Sequence, residues 1–245
     1  MALNPEYALG IDISQHNGKY NPAAKHVDFV ISRATIGLNK DLMFREYRDV
    51  CKDIPFMAYH YYVTSIPWKT QADNFLATTA GLNVSMLFWD YESKNNTLTP
   101  QTAADSVSAM SYLRQQTSKP VGLYADRQRT FDIYRDAPAS KGFPLWFAQY
   151  YLDKTYFDSI PNIEPKYTPQ FTQQVPWLIW QYASELNWGR LLGHEYGLES
   201  WSVDLNVWKG SPEHLKTYLG LFQGNEPTDT EKLALLWAAH PELHP

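Results

Sequence analysis

Eight short apolar runs, rich in β-branched and aromatic residues, recur along the chain. Most are separated by enough residues for a helix, and this rhythm constrains the fold more than any other feature. The runs are YALGIDIS (7–14), VDFVISRAT (27–35), PFMAYHYYV (55–63), SMLFWDYE (85–92), PVGLYAD (120–126), PLWFAQYY (144–151), PWLIWQYA (176–183) and SWSVDLNVW (200–208). Helical patterns fill several gaps: 41–53, 68–81 (Ala72, Phe75, Leu76 and Thr79 on one face), 100–117 and 126–135. The third of these has an explicit start, with Thr99 as N-cap and Pro100 in the first turn. Alternating strands and helices imply parallel pairing through crossovers, and eight such strands suggest a closed barrel. A chain of 245 residues is a common length for a single barrel domain.

The second half departs from this rhythm. YLDKTYFDSIPNIEPKYTPQFTQQ, between runs six and seven, carries three prolines and no clean helical period. SELNWGRLLGHEYGLE, between runs seven and eight, is glycine-rich. The expected architecture is therefore α/β, a TIM-like barrel whose helices are incomplete in the second half. After the last run, Ser211 and Pro212 open another helix, and QGNEPTD breaks it. Thr228 and Glu231 then form a capping-box pattern ahead of a short apolar face. The expected organisation is a catalytic barrel over 1–223 and a linker with a short helix over 224–245. That helix either packs on the barrel or serves docking or self-association.

Composition excludes several classes. A net charge of -5 argues against a nucleic-acid partner. There is no run of 18 apolar residues for a membrane span, and the start lacks the basic and apolar regions of a signal peptide. Cys51 is the only cysteine, which leaves no internal disulfide and no cysteine-rich zinc site; it reads as a buried apolar residue. His194-Glu195 lacks the second histidine of a zinc-protease helix, and no phosphate-cradling glycine loop follows a strand. No metal and no cofactor are expected.

The chemistry sits in LFWDYES (87–93). Along a strand, residues two apart share a face at roughly 6.5–7 Å. Asp90 and Glu92 then point together into the barrel, while Trp89 and Tyr91 face the helices. Asp12 ends the first run, and Asp204 with Asn206 repeats the pattern in the eighth. Barrel active sites are built at the mouth formed by the strand ends. Clustered carboxylates are a costly way to stabilise a core. They make sense where apolar walls and neighbouring charges must keep one carboxyl protonated as a general acid, as glycoside hydrolysis requires. Aromatics at strand ends, Tyr61, Tyr124, Trp146 and Tyr182, fit sugar stacking and fit equally as core or rim residues. Gln181 lines the mouth beside them. Arg33 is either a mouth residue or a buried partner for an acid.

GIDIS with the following Gly18, FVISRAT, MAYHYY, FWDYE, VGLYA, LWFAQY, WQY and VDLNVW, in this order over residues 7 to 210, resemble the glycoside hydrolase family 25 lysozymes, the Chalaropsis-type muramidases. The resemblance implies a (β/α)5β3 barrel and cleavage of the β-1,4 bond between N-acetylmuramic acid and N-acetylglucosamine with retention. It assigns Glu92 as general acid, Asp90 as its partner stabilising the intermediate, and Asp12 and Asp204 as the rest of the acidic site. Tyr61, Tyr124, Trp146, Gln181, Tyr182 and Asn206 are expected to contact substrate, and bacterial peptidoglycan is the expected partner. The sequence departs from the family at Ile36, where an acid is common. A phage lysin acting after host lysis, or a virion-associated muramidase, would explain the absence of both a leader and a wall-binding module; a secreted form with its leader removed would explain the first. A chitinase-like hydrolase is the alternative enzyme, although LFWDYE lacks the longer D-x-x-D-x-D-x-E series. A catalytically silent wall-binding or virion structural protein is the alternative from another class.

Overall fold

The apolar runs become the staves of one closed sheet. The computed structural model describes residues 7–94, 96–150, 177–185 and 188–220. Its strands are β1 (Tyr7–Ile13), β2 (Phe29–Ile36), β3 (Asn39–Lys40), β4 (Phe56–Tyr61), β5 (Leu87–Asp90), β6 (Val121–Asp126), β7 (Leu145–Ala148), β8 (Trp177–Ala183) and β9 (Asp204–Lys209). The barrel runs β1-β2-β4-β5-β6-β7-β8-β9 and closes through β9 and β1, with the two-residue β3 paired outside the ring on β2. Five α-helices are described: α1 (Phe44–Val50), α2 (Trp68–Thr79), α3 (Pro100–Gln116), α4 (Arg127–Asp136) and α5 (Pro212–Gly220).

Pairing is parallel from β1 through to β8, and β9 is antiparallel to both its neighbours. This corrects the expectation that Asp204 ends an eighth parallel strand. It opens β9 instead, and the reversed direction is what brings it to the mouth. An antiparallel return needs no crossover helix, which accounts for the glycine-rich connection over 184–203. Helix α1 is also shorter than the expected 41–53. Residues 39–40 pair back onto β2, and the Asp41 carboxylate accepts the Met43 N–H at 3.0 Å, so the helix starts only at Phe44. The proline-bearing stretch 151–174 and the expected C-terminal helix over 224–245 lie outside the described residues.

Alternation sorts the strand side chains into two cores. Outward residues such as Leu87, Trp89 and Tyr91 pack under the helices with Phe75, Met110 and Leu113. Trp89 Nε1 donates to Ser106 Oγ of α3 at 3.2 Å, and Cys51, just past α1, is fully buried in this layer. Inward residues Phe29, Phe88, Trp146, Ile179 and Trp208 fill the barrel, and Leu215 and Leu219 of α5 join that cluster. Two inward positions must be glycine. A Cβ on Gly10 would stand 2.2 Å from the Phe29 ring, and one on Gly122 2.6 Å from the Phe88 ring. Filling the floor in this way leaves the polar inward residues at the opposite end. Among the described residues, no helix is long and apolar enough to cross a membrane.

Candidate active site

Cross-strand register brings the strand-end acids together. Asp12 of β1 lies directly opposite Asp204 of β9. Across the ring, Tyr61, Asp90 and Tyr124 are successive partners on β4, β5 and β6. Glu92 follows two residues after Asp90, past the strand end. Its turn is braced from three sides: Asn96 Nδ2 donates to the Glu92 carbonyl at 3.0 Å, the Tyr61 hydroxyl donates to the Lys94 carbonyl, and Arg129 Nη2 donates to Ser93 Oγ at 3.0 Å.

A chain of hydrogen bonds crosses the mouth beneath Glu92. Trp146 Nε1 donates to Asn206 Oδ1 at 2.7 Å, and Asn206 Nδ2 donates to Asp12 Oδ2 at 2.8 Å. Gln181 Nε2 donates to the same Asp12 oxygen at 2.7 Å. The hydroxyls of Tyr124 and Tyr150 both donate to Gln181 Oε1, and the Tyr124 hydroxyl also lies 3.5 Å from Glu92 Oε1. Each amide has donors satisfied at one end and its acceptor at the other, so neither can flip without breaking the chain. Opposite, Arg33 Nε donates to Asp41 Oδ2 at 2.9 Å, and Asp41 also accepts the Gln15 N–H. Arg33 is thus both a mouth cation and half of a buried ion pair.

Burial sets the electrostatics, because removing water penalises the ionised form. It pushes the Glu92 carboxyl up to about 7, with the Asp126 and Asp12 charges adding to the effect and Lys94 and the Tyr124 hydroxyl opposing it. Burial raises Asp12 to about 6, held back by its bonds to Asn206 and Gln181. Asp90 rises well above the usual carboxylate range, first by burial and then by repulsion from Glu92 and Asp12, with Arg33 opposing. Asp204 rises likewise through burial and the Asp12 and Glu185 charges. Asp90 Oδ1 is buried and has no hydrogen-bond partner among the described residues. Glu92 is the member of the D-x-E pair that stays partly exposed. Near neutral pH this arrangement can deliver a proton from Glu92 and stabilise positive charge developing above Asp90, Asp12 and Asp204.

The family model for glycosyl hydrolases family 25 matches residues 11–190. The chain belongs to glycosyl hydrolase family 25. It is therefore a glycoside hydrolase. Its fold is similar to that of a family 25 glycosyl hydrolase from Bacillus anthracis (TM-score 0.66, 20% identity, 89% of this chain and 95% of that one covered). The catalytic domain of endolysin ply40, from bacteriophage P40 of Listeria monocytogenes, is also similar (TM-score 0.60, 20% identity, 89% and 98% covered). So is the modular autolysin LytC of Streptococcus pneumoniae, in complex with a synthetic peptidoglycan ligand (TM-score 0.58, 21% identity, 82% and 46% covered). No curated protein sequence matches the chain.

In this family 25 hydrolase the structure gathers Asp12, Asp90, Glu92, Asp204, Tyr61, Tyr124, Trp146, Gln181 and Asn206 at one end of the barrel. It does not bring Tyr182 to them. Strand alternation turns Gln181 inward and Tyr182 outward, where it packs against Trp180 with ring centroids 5.7 Å apart. His60 also faces outward, against Trp89. It is fully buried between Thr35 Oγ1 and Gln71 Oε1, and burial lowers its pKa to about 3. Three mouth residues escaped the sequence reading. Tyr59, two before Tyr61, feels the charges of Arg33, Asp12, Asp90 and Asp204. Tyr150 bonds Gln181. Asp126, two after Tyr124, sits at the end of β6. The alternation rule that selects Asp90 and Glu92 would have found all three; Asp126 reads first as a helix start and hides there.

Proposed function

We propose that the chain is a muramidase that cleaves the β-1,4 bond between N-acetylmuramic acid and N-acetylglucosamine of bacterial peptidoglycan. The observation that carries the reading is Glu92: a partly exposed carboxyl raised to about 7, standing over a buried set of acids. Glu92 donates its proton to the glycosidic oxygen as the C–O bond breaks. Asp90, Asp12 and Asp204 offset the positive charge that develops on the sugar. Water then adds to the anomeric carbon and returns a proton to Glu92. Retention is the expected outcome, through either a carboxylate nucleophile or the substrate's own acetamide. The peptidoglycan ligand of LytC supports the substrate class.

Tyr61, Tyr124, Trp146, Gln181 and Asn206 form the substrate-facing wall in this reading. Residues 1–223 act as the catalytic unit in this reading. The phage endolysin likeness fits a lysin that reaches the wall at host lysis.

Glu92→Gln keeps the side-chain shape and removes the acid. Wall clearing is expected to fall by about 100-fold or more; undiminished activity would overturn the assignment. Mass spectrometry of digested peptidoglycan should reveal new reducing ends on N-acetylmuramic acid, released first as the β-anomer by NMR. Reducing ends on N-acetylglucosamine, or efficient chitin digestion, would favour the chitinase-like alternative.

A further inference from the structure

The turn that carries Glu92 is tied to the first turn of α4, and the residue at the centre of that tie belongs to neither the D-x-E pair nor the other strand-end acids. Asp126 ends β6 on the inward side, two residues after Tyr124. Asp90 pairs with Tyr124, and Tyr91 N–H donates to the Tyr124 carbonyl at 2.9 Å; continued two residues past the last paired positions, this register brings Glu92 level with Asp126, whose charge acts on it. Neighbouring strands lie about 4.8 Å apart. Asp126 is also the N-cap of α4: its Oδ1 accepts the Arg129 N–H at 2.8 Å, which fixes the carboxylate. Arg129 then reaches back through Nη2 to Ser93, the residue after Glu92, while its Nη1 engages Asp132 at 3.1 Å. The Arg129 guanidinium is thereby engaged by Ser93 and Asp132.

We propose that Asp126 is a positioning residue for the proton donor: a fixed negative charge, held by the α4 cap beside Glu92, that keeps the proton on Glu92 until substrate takes it. This rests on Glu92 being the general acid. The other groups facing Glu92 are accounted for. Asp12 comes from β1 and Asp204 from β9, while Asp90 ends the strand before Glu92 and Lys94 shares its turn. The Tyr61, Tyr124 and Tyr150 hydroxyls approach from β4, β6 and the end of β7. Asp12 is already hydrogen-bonded by two amide donors and Asp204 lies across the ring, whereas Asp126 has its charge on the adjoining strand. Among the neighbouring charges, Asp126 has the largest influence on Glu92.

The test is the pH dependence of kcat/KM for wall hydrolysis by the full chain. A general acid must be protonated, so its pKa sets the alkaline limb of the profile. Asp126→Asn removes the charge and keeps a good cap, as does Asp126→Ser. Both should move the alkaline limb down by about one unit, a loss of about tenfold above that limb with parental activity below it. Asp126→Ala should move the limb equally and melt at a lower temperature, since it also loses the cap. A limb that stays in place in a folded Asn or Ser variant overturns the inference. A uniform loss at every pH does the same, because it marks a structural role only. Glu92→Gln in the same assay separates the two levels: an active Glu92→Gln overturns the general-acid reading itself, while an inactive one beside an unmoved limb overturns only the role of Asp126.

Discussion

Asp12 shows how a buried charge is kept in a site rather than expelled from it. One of its oxygens accepts from both Gln181 and Asn206, and each amide is pinned at its far end by aromatic donors: Tyr124 and Tyr150 on Gln181, Trp146 on Asn206. Asn206 is fully buried. Asn206→Leu would therefore strand the Trp146 indole N–H and remove one of the donors to Asp12. We expect a loss of about 1–3 kcal/mol in denaturant unfolding, with little change in the steepness of the transition. None of this pairing is visible in sequence. Spacing places Gln181 and Asn206 on inward faces, but which amide meets which acid depends on the closure of β9 against β8 and β1. Tyr182 marks the opposite error: an aromatic in the right motif, one residue out of phase with the mouth.

Strand and helix positions were legible because each depends on near neighbours. Thr99 and Pro100 start α3 where capping chemistry requires, with Thr99 Oγ1 accepting the Thr102 N–H at 3.2 Å. The direction of β9 was not legible, since VDLNVW alternates identically whichever way it runs. The connection before it carries the missing information. In 184–203, Gly193 N–H donates to the Trp201 carbonyl at 2.9 Å, its own carbonyl accepts from Leu198 N–H, and Ser200 N–H donates to Asn17 of the β1–β2 connection. A Cβ on Gly193 would stand 2.1 Å from the Ser200 carbonyl oxygen. These glycines therefore serve close backbone packing as well as turning. Gly193→Ala should displace the loop that delivers Asp204, and wall clearing should fall by at least tenfold while Glu92 is untouched. Parental clearing would show that the loop does not set the position of Asp204.

Two groups of the barrel respond to pH in opposite directions. Asp12 holds its proton to about pH 6 in the folded chain, against 3.8 as the ordinary value. The stability from that proton is complete below about 3.8 and lost as pH rises through 6. His60 works the other way: buried neutral, with a pKa of about 3 against 6.5, it contributes above 6.5 and is lost as pH falls toward 3. The parent's stability curve mixes the two, and Asp12→Asn isolates the first. The variant should gain on the parent steadily between pH 4 and 7, by about 1–3 kcal/mol at neutrality, in melts run across that range. A flat difference would show that Asp12 is not held protonated. The gain would come with lost activity, the usual trade at a site built from strained electrostatics.

The reversed strand also decides where the barrel can carry cargo. β1 leaves the floor and β9 returns to it, so Tyr7 faces Lys209 and the Ala8 N–H meets the Gly210 carbonyl at 2.8 Å. The barrel's first and last staves are clasped together on the side away from the acids. Cargo attached at this clasp would hang from the end of the barrel opposite the acids.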